Sequence, residues 1–187
     1  MAARQGKPDV SAANAGSYLN PIHHTLADAL AEESTARTLG MLGIGFTVWH
    51  DVSTGDPEQK LDHILLGPTG LIAMISEDLG GPVRVRRGEL IGDPVAGQRP
   101  MHDLAARAKI IARRLRVRFS GLVIVLPDDA LAEAVVALGT IRGAHAVAVR
   151  QSALATLMRS GLPGSVPIGG NELFDVRTRL LGGVQFV

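Results

Sequence analysis

Cysteine is absent from this chain of 187 residues. That excludes disulfides, thiolate metal ligands and a cysteine nucleophile, and it suits a reducing, cytoplasmic setting. Aromatic residues make up only 3%, with one Trp and one Tyr, so a surface of stacked rings for reading bases is not expected. No stretch approaches the ~20 consecutive apolar residues of a membrane span, and no membrane partner is expected. Residues 1–20 lack the apolar segment of a signal peptide and read as a flexible Ala/Gly/Ser-rich arm. What is there is aliphatic. At 46% hydrophobic and a mean hydropathy of +0.20, the remainder can bury one sizeable core, so a single folded domain is expected.

A formal net charge of +1 conceals a strong asymmetry along the chain. Residues 1–83 carry 4 basic and 10 acidic side chains, residues 84–118 carry 10 and 3, and residues 119–187 carry 5 and 5. The middle block could track phosphates, and the first could serve a cation or a basic partner. Equally, both could be solvated faces paired with one another.

Asn20-Pro21 opens a helix whose apolar residues recur at three- and four-residue intervals to Leu39 and Leu42, until Gly40, Gly43 and Gly45 stop it. Phe46–Val52 has the content of a strand, and residues 53–60 form a loop. Residues 61–75 read as two strands buried on both faces, joined by Gly67-Pro68-Thr69-Gly70. Val83–Arg87 alternates Val and Arg as an edge strand does, and 89–100 is a turn-rich connector. A long helix follows over 101–118, with Leu104, Ala108, Ile111 and Leu115 inward and a basic outer face. Strand 122–126, a short helix at Ala130–Leu138 capped by an aspartate, strand 144–149 and a helix at 152–159 make a βαβ pattern. A short helix near 172–181 completes the reading. The paired glycines at 80–81, 169–170 and 182–183 lack the context of nucleotide loops and are turns.

The stretch Phe46-Thr-Val-Trp-His50-Asp51-Val52 followed by Leu61-Asp62-His63 and Gly67-Pro68-Thr69-Gly70 resembles the NERD (nuclease-related domain) family, from about Glu33 to about Pro163. The resemblance implies an α/β fold: a three-layer restriction-endonuclease-like core with a mixed central sheet flanked by helices. Its boundaries would be an arm at 1–20, a NERD-like domain at 21–163, and a C-terminal extension at 164–187 packing on the same domain. It also implies a metal-dependent nuclease constellation of a helix Glu, the hairpin Asp, and a Glu-x-Lys motif. Hard cations such as Mg²⁺ or Mn²⁺ take such oxygen ligands. Glu33 and Asp62 stand at the first two positions, with Glu32 adjacent to Glu33 and ~100° away on the helix. Glu-x-Lys is replaced by Ile75-Ser76-Glu77. Ile75 cannot ligate, while Glu77, two residues on, shares its face and could serve as a displaced ligand.

The expectation is therefore a catalytically degenerate, nuclease-like module that binds nucleic acid or a protein partner and needs no cofactor. Its nucleic-acid surface would be Arg84, Arg86, Arg87, Lys109, Arg113, Arg114 and Arg116. A divergent Mg²⁺ or Mn²⁺ nuclease using Glu33, Asp62 and Glu77, with Arg84 in place of the lysine, is the enzymatic alternative. Asp62 could instead cap a turn or pair with an arginine. A purely structural assembly role is the third reading. His50 and His63 are expected as hydrogen-bonded neighbours at strand ends.

Overall fold

Residues 61–76 form the centre of the molecule, because a run of Ile, Leu, Ala and Met with no polar alternation is stable only where both faces of a sheet are covered. In the computed structural model, which describes residues 20–56 and 59–187, and side chains from Leu26 onward, β2 (Leu61–Gly67) and β3 (Gly70–Ser76) are buried along their whole length. Residues 1–19 and the side chains of His23 and His24 lie outside this description. The turn joining the strands needs its glycines. Gly70 has φ +119°, and a Cβ on Gly67 would fall 2.2 Å from the Phe46 ring, which lies against it.

Helix α1 (Asn20–Gly40) leads into β1 (Thr47–Val52), which pairs antiparallel with β2, as β2 does with β3. After β3 come a small hairpin, β4 (Arg84–Arg86) and β5 (Glu89–Ile91), and the helix α2 (Pro100–Leu115). Strand β6 (Gly121–Leu126) lies parallel to β3, and β8 (Ala144–Arg150) parallel to β6. Strand β7 (Val135–Ile141) closes that side antiparallel to β8, giving a mixed six-stranded sheet in the order β1-β2-β3-β6-β8-β7. Helices α3 (Leu154–Ser160) and α4 (Gly170–Gly183) complete the α/β domain.

Strand alternation divides the core in two. Ile64, Leu66, Ala73, Ile75, Leu122 and Ile124 pack with α2 and α4, whereas Leu65, Ile72, Met74, Val123 and Val125 pack with Leu39 of α1 and Leu157 and Met158 of α3. Each fully buried aliphatic side chain contributes about 1.5–3 kcal/mol relative to exposure. Gly121 permits the close approach at the crossing, since a Cβ there would meet Leu162 at 2.2 Å.

The helix expected over Ala130–Leu138 is not formed. Residues 135–141 are β7, because Val135-Val136 suits a pleated edge, and Arg142-Gly143, with φ +54° and +86°, makes the tight hairpin turn into β8. Of the two aspartates that precede the expected helix, Asp128 accepts from the Ser152 N–H at the start of the 3-10 turn before α3. Residues 127–134 are held by Arg150, whose guanidinium donates to the carbonyls of Leu131 and Ala132. The link from β6 to β8 is thus a hairpin strand, and the parallel pairing survives.

The two sheet edges are finished differently. Residues 185–187 run along β1, with Phe186 bridging Val52, and Val187 N–H donating to Asp51. Strand β7 carries an irregularity between Ala137 and Gly139.

Candidate functional site

Two regions concentrate charge: an acidic end beside β2 and a cationic groove beside α2.

At the acidic end the helical phase decides which glutamate of α1 matters. Glu33 is exposed and pairs with Arg37 at 2.9 Å, one turn on. Glu32 is the one turned toward the sheet, accepting from Lys60 at 3.0 and 3.1 Å. Glu33 therefore does not join Asp62, because one residue along a helix carries the side chain ~100° round to solvent. Lys60 also donates to Asp51, whose φ of +52° aims its carboxylate at that ammonium. The Lys60 hydrogen bond holds the Asp51 carboxyl below the usual range. Burial opposes the charge on Lys60, yet the hydrogen bonds it donates to Asp51 and Glu32 outweigh it and raise its pKa.

Asp62 points to the α2 side of the sheet and is 8% exposed. One of its oxygens accepts from Ser76 N–H at 2.7 Å. Burial pushes its carboxyl up to about 7, a rise that this hydrogen bond moderates and the nearby Glu32 reinforces. The positive charges facing it are Lys60 and Arg107. Arg84, expected in that role, is on the separate β4–β5 hairpin beside Asp93 and Asp129. On the other side of the sheet, Ser76 Oγ donates to Thr35, and Thr35 to Gln151, which ties β3 and α1 to the 3-10 turn before α3.

His50 and His63 are cross-strand partners with their Nδ1 atoms 2.9 Å apart and rings nearly perpendicular. Burial, aided by His50, pushes the His63 ring down to about 3, so it is neutral at physiological pH. Its Nε2 is buried without a partner in hydrogen-bonding geometry, although the Glu32 backbone close by favours the protonated ring.

Glu77 follows the end of β3 and lines a depression with Arg99, Asp103 and Arg107. Burial and then Asp28 raise its pKa. Its electrostatic neighbours are Asp28, Arg107, Asp103 and Glu89, while those of Asp62 are Glu32, Lys60 and Arg107. Arg107 thus stands between two separate carboxylates. Among the described residues no group of three or more His, Asp or Glu side chains is placed to hold a metal ion. Asp62 and Glu77, expected to share a Mg²⁺ or Mn²⁺ ion, thus face different sets of neighbours with only Arg107 in common.

The cationic groove has a topological origin. Helix α2 packs over β2, β3 and β6, and leaves the last two strands of that face to the β4–β5 hairpin, whose Gly88 lies against the Leu138 carbonyl. Between α2 and the β7–β8 turn runs a groove of two joined parts, about 250 and 560 Å³. Lys109, Arg113, Arg118 and Arg142 border the first, and Arg87, Arg99, Lys109 and Arg142 the second. Among the described residues none forms an ion pair or hydrogen bond with these cations. Arg113, then Arg142, holds the Lys109 pKa below its ordinary value, as uncompensated like charge does.

The basic residues expected to act together are thereby divided. Arg87, Lys109 and Arg113 share the groove, and Arg99, Arg118 and Arg142 join them. Arg114 faces the other way and donates to the Ser53 carbonyl, as Arg107 does to Lys60. Arg116 ends α2 in a left-handed conformation, its carbonyl accepting from Arg179. Arg84 and Arg86 are exposed on β4.

Fold and site together define an α/β domain with a mixed six-stranded sheet, a neutralised acidic end and an open cationic groove. No protein-family model, curated protein or solved structure matches the chain.

Proposed function

We propose that this domain is a binding module on a nuclease-like scaffold, with nucleic acid as its ligand and no phosphodiester cleavage of its own. The restriction-endonuclease-like reading of the core, and the NERD resemblance behind it, belong to this proposal. Asp62 on β2, the Gly67–Gly70 turn and the parallel step from β3 to β6 support it.

One observation carries the functional reading: Arg87, Arg99, Lys109, Arg113, Arg118 and Arg142 line one continuous groove without internal partners. Cations so arranged favour a polyanion, whose bound counterions are released on association. The acidic end contributes structure, since its lysine is already committed to Glu32 and Asp51. A cytoplasmic location suits both the ligand and the lack of cysteine.

The test is a fluorescence-anisotropy titration of labelled single- and double-stranded DNA at two salt concentrations with EDTA present. Binding should weaken steeply with salt, and Arg113→Glu should flatten the logarithmic salt slope by roughly 0.9 on duplex. An absence of binding at low salt would overturn the nucleic-acid reading and leave a protein partner to be sought. Divalent-dependent cleavage abolished in Asp62→Ala would overturn the non-catalytic part.

A further inference from the structure

The smaller part of the groove has a property that a phosphate backbone does not require: its floor is aliphatic. Ala108 and Ala112 of α2 face Leu122 of β6 and Ala144 of β8 across it, and Phe119 closes one side. The space exists because both walls are built from the smallest apolar side chain. On this face β8 presents Ala144, Ala146 and Ala148, and α2 turns its alanines rather than Leu104, Ile111 and Leu115 toward the gap. Leu122, Ala144 and Phe119 are buried, so a ligand here extends an existing core rather than lying on a wet surface.

The rim supplies the second half of the chemistry. Lys109 and Arg113 stand one helical turn apart on one wall, and Arg118 and Arg142 border the same space. Arg142 occupies the first position of the β7–β8 turn at φ +54°, where Asn or Gly is conformationally favoured. Arg87 repeats the arrangement at the tip of the β4–β5 hairpin, with φ +52° followed by Gly88. Both exposed turns thus carry a guanidinium where the backbone favours another residue, and both border the groove.

We propose that this pocket binds a straight-chain amphipathic anion, a carboxylate or phosphate head held by Lys109, Arg113, Arg118 and Arg142 with its alkyl chain over the alanine floor. Charge complementarity selects the head. The floor selects the tail, because the lining has no neutral hydrogen-bonding side chain, and a nucleobase edge would lose its partners there. The inference goes beyond the nucleic-acid reading and stands independently of it. If both hold, the two ligands share Lys109, Arg113, Arg118 and Arg142 and exclude one another.

Isothermal titration of the full chain, without nucleic acid, against butanoate, hexanoate and octanoate tests the tail. Affinity should rise about three- to fourfold per methylene. Octyl phosphate against inorganic phosphate and octanol distinguishes the head groups, with octanol at least tenfold weaker than either octyl anion. Ala112→Phe, at a half-buried position, should abolish octanoate binding, and Arg142→Asn should weaken it severalfold while keeping the turn. Equal affinity across the series, phosphate binding as tightly as octyl phosphate, or octanoate binding unchanged in a folded Ala112→Phe protein would each overturn the proposal. Labelled DNA that displaces inorganic phosphate but leaves bound octanoate in place would also overturn the shared rim.

Discussion

The acidic end and the cationic groove hold similar numbers of charged groups and treat them in opposite ways. Around Lys60 the chain neutralises itself: Glu32 and Asp51 close on the ammonium, Asp62 rests on a backbone amide, and His63 is kept uncharged. Around α2 the cations have no such partners among the described residues. Charge satisfied within the fold acts on stability, whereas charge left open to solvent acts on what the fold attracts. Substitutions at the two places should therefore report on different observables.

The largest effect is expected at Asp62. Its folded pKa of about 7 lies above the unfolded value near 3.9, so the native state holds a proton that the unfolded chain releases. The contribution of Asp62 to stability then falls as pH rises from about 4 to 7, by up to about 4 kcal/mol, and is level above that. Asp62→Asn keeps an oxygen for Ser76 N–H and should recover most of this loss at pH 8 and little near pH 4. Urea unfolding at the two pH values measures it, and an equal change at both would contradict the assignment. His63 works in the opposite sense. With its pKa depressed to about 3, it costs stability as pH falls below about 6.5. The two slopes offset one another between about pH 4 and 6.5, so His63→Gln should expose the Asp62 slope and make the protein more stable at pH 4 than at pH 7.

A smaller loss is expected for Lys60→Met, which leaves Glu32 and Asp51 facing each other without their cation. Both carboxylates are partly solvated, so about 1–3 kcal/mol is appropriate. Lys60 holds the Asp51 carboxyl below its usual range, so the loss should shrink at low pH as Asp51 protonates, and a loss independent of pH would indicate packing alone. The smallest effect belongs to the groove. Arg142→Asn relieves a left-handed arginine and should stabilise by about 0.5–1 kcal/mol while weakening anion binding. Gains in both stability and affinity would remove the distinction between the two regions.

The central hairpin was legible from sequence because Ile64-Leu65-Leu66 and Leu71–Ile75 admit only strands covered on both sides, and Gly67 and Gly70 mark their turn. The helices α1 and α2 were legible from apolar spacing, α1 also from Pro21 and the glycines after it, and α3 and α4 match the short helices expected near 152–159 and 172–181. Residues 130–138 were misread, since Ala and Leu suit a helix locally and only pairing with β8 makes them a strand. The acidic end was half legible. Asp62 announced itself, but Glu32 and Glu33 differ only in helical phase, which tertiary packing sets. Lys60 was overlooked inside a polar loop, although a signal existed. It is the sole basic residue between Arg37 and Arg84, and it precedes Asp62 by the two residues that place side chains on one face of a strand. The groove was legible in part: Arg87, Lys109 and Arg113 were among the expected basic residues, whereas Arg99, Arg118 and Arg142 come from the residues flanking α2 and from a hairpin tip far along the chain, which only the fold brings together.

The unequal finish of the sheet edges bears on how the domain behaves at high concentration. Residues 185–187 occupy the Asp51–Ser53 end of the β1 edge, so a neighbouring strand could not pair along the whole of β1 without displacing them. The irregularity in β7 breaks the straight ladder that a second strand would need. Displacing residues 185–187 would lengthen the stretch of β1 that a second strand can pair with, which makes the β1 side the more sensitive of the two edges.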